Sequence, residues 1–179
     1  MQHLDLVPIQ LLGRQGLLDR LSRMLEQTFG TSVRQREPWF DPETSFDQSR
    51  GQYSSTTLLR CLLDEPSDPS GFVIGVAGVD LFVPILTYVF GEAQLGGRAA
   101  VVSIHRLRSD VYGLPRDDAL LFRRLLKESV HEIGHCFGLI HCPDPACVMH
   151  PSTYVEEIDF KPETFCESCW KVVARRDGK

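Results

Sequence analysis

The spacing of hydrophobic and polar positions changes several times along the chain, and each change marks an expected element. LDLVPI at 4–9 is almost continuously apolar and predicts a first strand. After a short turn, LLDRLSRMLEQTF at 17–29 repeats its apolar residues every three or four positions and predicts an amphipathic helix. SVRQREPWF at 32–40 is assigned to a second strand, and DPETSFDQSRGQYSS at 41–55 to a polar, punctuated loop. TTLLRCLLDE at 56–65 predicts a short helix with Ser55 as N-cap, and its Cys61 is assigned to the core as a packed thiol. GFVIGVAGVDLFVP at 71–84 predicts a strand and a turn. YVFGEAQLGGRAAVVSIHRL at 88–107 predicts two short strands around Gly96-Gly97.

The best-marked element comes next. Asp117 or Asp118 can cap a helix whose apolar residues recur at Phe122, Leu126, Val130, Ile133 and Phe137, within an arc of about 80°. His131 and His135 lie on the side opposite that arc. Helices and strands mixed in this order predict an α/β fold, helices packed on a sheet, in one compact domain spanning 1–179. No internal repeat or low-complexity segment interrupts it.

Composition narrows the choice of partner. A net charge of -5 disfavours nucleic acid, since phosphate binding requires a basic face. Arg123-Arg124 and Arg175-Arg176 are assigned to solvated surface. The opening MQHLDLVPIQLLGR lacks the basic flank of a secretory signal, and no apolar run reaches the ~20 residues of a membrane span. A soluble, cytoplasmic protein without a membrane partner is expected.

The chemistry is concentrated in HEIGHCFGLIHCPDPACVMH at 131–150, which holds four of the six histidines and three of the six cysteines. Histidines at i and i+4 on a helix can close on one metal ion, with Glu132 beside them. Gly138 can take the left-handed conformation that ends a helix and turn the chain so that His141 folds back towards His131 and His135. Three neutral imidazoles with an open fourth position are the layout of a catalytic zinc. Glu132 is then the general base, taking a proton from water and passing it to the leaving amine. Cys142 and Cys147 flank PDPA, and Cys166 and Cys169 form a CxxC knuckle. Four thiolates in two pairs suit a structural zinc; a pair of disulfides is the alternative in an oxidising compartment. Cys136, about 120° round the helix from the histidines, is assigned to a buried thiol.

HExxHxxGxxH followed by HCPDPACVM and CESC resembles the archaemetzincin family of zinc metallopeptidases, within the metzincin clan. The motif covers 131–169, with the N-terminal sheet and helices in 1–130. The resemblance implies a mixed sheet above a horizontal cleft, an active-site helix below it, and Met149 as the Met-turn methionine under the histidines. It also implies two zinc ions per chain and a peptide or protein substrate. In some metzincins a tyrosine two residues after that methionine assists the metal. Here Pro151 holds the position and Tyr154 stands three further on, so Tyr154 receives no catalytic role. His150 is left out of the ligand set, because three histidines fill an open site.

The strand pair at 89–105 is the expected edge for an extended substrate. No propeptide is evident, so an open site is expected, on a monomer. Two rival readings share the motif: a zinc hydrolase of a small non-peptide amide, and a silent zinc-containing binding protein.

Overall fold

The computed structural model describes residues 1–64 and 71–177. The expected helix end at Glu65 and the side chain of Arg176 lie outside the described residues. The chain runs β1 (His3–Ile9), α1 (Gln15–Phe29), β2 (Ser32–Gln35), a 3-10 turn (Pro42–Ser45), β3 (Phe46–Asp47), β4 (Gln52–Ser54) and α2 (Ser55–Leu63). It continues through β5 (Phe72–Ala77), β6 (Leu81–Phe82), β7 (Gly91–Ala93), β8 (Ala99–Ser103), α3 (Asp118–Cys136), α4 (Val155–Phe160) and α5 (Glu167–Asp177). Five strands form the main sheet in the order β2-β1-β5-β8-β7. The first four are parallel and β7 alone runs antiparallel, against β8. A strand buried on both faces reads as an uninterrupted apolar run, as AAVVS of β8 does, with all five residues buried.

Alternation along β8 separates two cores. Ala99 and Val101 face α2, in a layer with Leu58, Leu62, Val7 and Ile9. Ala100 and Val102 face the opposite way, where Leu21 and Leu25 of α1 meet Phe122, Leu126 and Val130 of α3. The molecule is therefore a helix–sheet–helix sandwich with α3 lying under the antiparallel edge.

Several local assignments shift. Ser54, not Ser55, caps α2, accepting from the Thr57 amide at 3.2 Å, while the Ser55 hydroxyl donates to the Phe82 carbonyl at 3.0 Å. The 71–84 run divides into β5 and β6, and β6 joins a small second sheet with β3 and β4. Its other two strands lie in the segment assigned to a loop. The second strand stops at Gln35, short of Trp39, whose indole instead donates to the Cys61 carbonyl at 3.0 Å. Cys61 is half-buried, since α2 turns that side partly outward. Asp117 is the α3 cap, accepting from the Leu120 amide at 2.8 Å.

Arg124 corrects the reading of a solvated arginine pair. It is 6% exposed, grips Asp159 through Nε (2.8 Å) and Nη2 (2.6 Å), and donates to the Leu107 carbonyl at 2.9 Å. Arg123, next to it, stays exposed. The polar side of α3 is covered rather than solvated, because α4 and the segments around it pack there.

Candidate active site and metal centres

Helix α3 ends as its sequence requires. Gly138 takes φ 90°, the Gly138 amide donates to the His135 carbonyl at 2.9 Å, and the Leu139 amide donates to the Gly134 carbonyl at 3.1 Å. These paired bonds form a Schellman motif, which only a residue at ease in the left-handed region closes without strain. The turn carries His141 back over the helix. One nitrogen from each of His131, His135 and His141 then lies within 4.8 Å of the others.

The imidazoles are held by their other nitrogens. His131 Nδ1 lies 2.8 Å from the Val148 carbonyl oxygen and His135 Nδ1 lies 2.7 Å from that of Leu139. A carbonyl only accepts, so each Nδ1 carries the proton and each Nε2 keeps a lone pair. The two Nε2 atoms face each other at 3.1 Å. Two lone pairs so close repel unless a cation lies between them, and tetrahedral zinc at ~2.0–2.1 Å from each nitrogen fits that gap. Burial, helped by the Lys161 ammonium, holds His131 well below the ordinary imidazole range; burial also lowers His135 and His141. Burial thus favours the neutral imidazole at all three, the form in which histidine binds a metal.

Glu132 is buried, and its carboxylate lies against the β7 backbone. A Cβ on Gly91 would stand 2.7 Å from Glu132 Oε1 and 2.7 Å from the Val101 carbonyl, so only glycine lets strand and carboxylate approach this closely. Burial, then the charge of Glu128, raises the Glu132 carboxyl well above its usual range. A dication beside it acts in the opposite direction. Met149 is fully buried, and a Cβ on Gly134, between the two helical histidines, would meet its Sδ at 2.4 Å. His150 turns its Nδ1 to the Cys142 carbonyl at 3.1 Å and stands outside the three-histidine cluster.

The four cysteines converge as a second group. Their Sγ atoms lie within 4.8 Å of one another, with Cys142 and Cys166 3.9 Å apart. A disulfide needs ~2.05 Å, whereas four sulfurs at ~2.3 Å from zinc stand about 3.8 Å apart. None of the six cysteines is joined in a disulfide. Burial raises Cys147 and Cys169, while the Cys169 amide lowers Cys166. Packing several such sulfurs as thiolates calls for a cation. The Cys142 amide donates to the Met149 carbonyl at 2.9 Å, joining this group to the floor of the histidine site. Cys136 stands apart, its Sγ donating to the Ala99 carbonyl at 3.2 Å.

A cleft of about 730 Å³ runs between β7 and α3, bordered by Tyr88, Val89, Gly91, Glu132, Pro151 and Tyr154. The flanking bonds Ser103 N–Phe90 O and Gln94 N–Ala99 O fix the antiparallel alternation. Gly91 and Ala93 thus turn their backbone groups outward, towards the cleft. Tyr154 is exposed on the rim. Among the described residues, no helix is long and apolar enough to cross a membrane.

Three residues close to the histidines escaped sequence reasoning: Gly91, Glu128 and Lys161. A glycine interrupting a strand pattern is a signal of close backbone approach and could have pointed to Gly91. Nothing local distinguishes Glu128 or Lys161 from surface charges.

Comparison with known proteins agrees with this geometry. The model of Peptidase family M54 matches residues 45–175. An archaemetzincin from Methanocaldococcus jannaschii is 39% identical over 161 residues, 88% of each chain. The crystal structure of archaemetzincin from Methanopyrus kandleri superimposes with a TM-score of 0.86 at 34% identity, covering 99% of this chain and 96% of that one. The archaemetzincin of Archaeoglobus fulgidus, solved with malonate, gives 0.79 at 33% identity, covering 96% and 99%. The chain belongs to the archaemetzincin family of zinc metallopeptidases.

Proposed function

We propose that this protein is a zinc-dependent peptidase in which His131, His135 and His141 hold the catalytic metal and Glu132 is the general base. Zinc, when bound, supplies Lewis acidity towards a carbonyl and towards water. Glu132 takes the proton released as water attacks the scissile carbonyl and returns it to the departing amine. Gly91 sets the distance between that carboxylate and the edge strand. The outward backbone of Gly91 and Ala93 hydrogen-bonds an extended peptide alongside β7. Cys142, Cys147, Cys166 and Cys169 hold a structural zinc that braces His141 and Met149. Met149 forms the floor beneath the histidines.

The facing Nε2 lone pairs of His131 and His135, 3.1 Å apart, carry this reading. The open cleft beside an edge strand favours a peptide over a small amide. The test is to incubate a denatured peptide mixture with the zinc-loaded protein and with Glu132→Ala, and to sequence the new termini by mass spectrometry. Cleavages made only by the unmutated protein support the assignment. Identical termini from both proteins, with both metal sites filled, would refute it.

A further inference from the structure

Lys161 is 3% exposed and takes no part in the chemistry above. A lysine is almost never so buried unless paired, because its ammonium is strongly hydrated. Its Nζ lies 2.9 Å from Glu128 Oε1, and the carboxylate is itself 4% exposed. The two charges touch off the axis of a hydrogen bond. The same ammonium donates to the His150 carbonyl at 3.2 Å, one residue beyond Met149. It also sits 3.5 Å from His131 Nδ1, a proximity and not a hydrogen bond, since that nitrogen already donates to Val148.

The fold brings Lys161 here deliberately. Arg124, Lys127, Glu128 and His131 occupy one face of α3, at spacings of three and four residues. Arg124 grips Asp159, and Lys127 Nζ donates to the carbonyls of Ile158 (2.9 Å) and Asp159 (3.0 Å) at the end of α4. These bonds pin α4 against α3 and leave Lys161, the residue that follows α4, one turn before His131 along the helix face.

We propose that Lys161 is a positioning residue for the three-histidine site. It ties the strand of chain carrying Val148, Met149 and His150 to the helix carrying His131 and Glu132, so that His131 keeps its bond to Val148. Glu128 is the counter-charge that lets the ammonium lie there. The inference rests on the metal-site assignment above and goes beyond it, because Lys161 is assigned neither to the ligand set nor to proton transfer.

Zinc affinity, read by competition with a chromogenic chelator, tests this without depending on turnover. Lys161→Met is expected to weaken the histidine site by about 10–100-fold, the usual effect of losing a partner that orients a ligand. The four-cysteine zinc should stay stoichiometric, and kcat should fall while KM holds. The paired variant Lys161→Met with Glu128→Met removes both charges together, so it should regain the melting temperature of the unmutated protein yet keep the weak histidine site. Unchanged affinity in Lys161→Met would overturn the proposal. So would recovery of affinity and melting temperature together in the paired variant, since the ion pair would then be packing alone. An unmutated protein with no zinc on its histidines would instead sink the metal-site assignment itself.

Discussion

His131, His135 and His141 come from one helix and the turn that ends it, and grade from buried through half-buried to exposed. Cys142, Cys147, Cys166 and Cys169 come from two loops and the first turn of α5, and none is more than half-exposed. The histidine group opens on a cleft and, in the function proposed above, would keep one coordination position free. The cysteine group gathers four soft donor atoms within 4.8 Å of one another. A shared backbone joins them, for Cys142 follows His141 and bonds to Met149. The difference teaches that the histidine group, as the proposed metal site, has little of its own to hold His141. On the proposed assignment its rigidity would come from α3 on one side and from the cysteine group on the other.

The sharpest way to break this contrast is to open the closed site. Structural zinc contributes about 10–16 kcal/mol in small zinc-dependent peptides. Cys147→Ser should therefore lose both metals and unfold the C-terminal part of the chain, seen together in metal content and thermal melting. Loss of one zinc with the histidine site still filled would show that the sites are independent.

At the open site, the chemistry should separate from the architecture. Glu132→Gln is expected to lower kcat by roughly 10²–10⁴ while both metals stay bound, measured by steady-state kinetics beside metal analysis. A loss of histidine-site zinc in this variant would make Glu132 part of the ligand scaffold.

The floor between the two sites is a smaller target. Gly134→Ala drives a Cβ into Met149 Sδ and towards Phe165, so overpacking of about 1–3 kcal/mol is expected, with weaker zinc on the histidines. Denaturant unfolding and chelator competition read the two effects. Least of all, Asp117→Ala removes the α3 cap at the far end of the helix and should cost about 1 kcal/mol. Zinc content and kcat should not move.

Much of the α3 region could be read from its residues. The cap at Asp117 or Asp118, the apolar stripe, the i, i+4 histidines and the stop at Gly138 are all settled within a few residues by helix geometry. The hairpin around Gly96-Gly97 was equally legible, because its two strands are neighbours in the chain. Readings failed where the decision was not local. GFVIGVAGVDLFVP has the composition of one strand, but its two ends pair with different sheets. Arg124 has the composition of a surface residue, but α4 returns to cover it. The 41–55 segment has the polarity of a loop, yet β3 and β4 pair within it and β6 joins them.

By itself, then, the sequence determined the spacing of donors: which imidazoles share a helix face, where the helix must turn, and which cysteines come in pairs. These follow from the fixed rise and rotation of the backbone over a few residues. Only the tertiary structure decided how far the Glu132 carboxylate stands from the edge strand, that Met149 fills the space left by Gly134, and that a lysine thirty residues after His131 is buried beside it. Such contacts join segments whose separation in the chain carries no geometric information until the sheet and helices have packed.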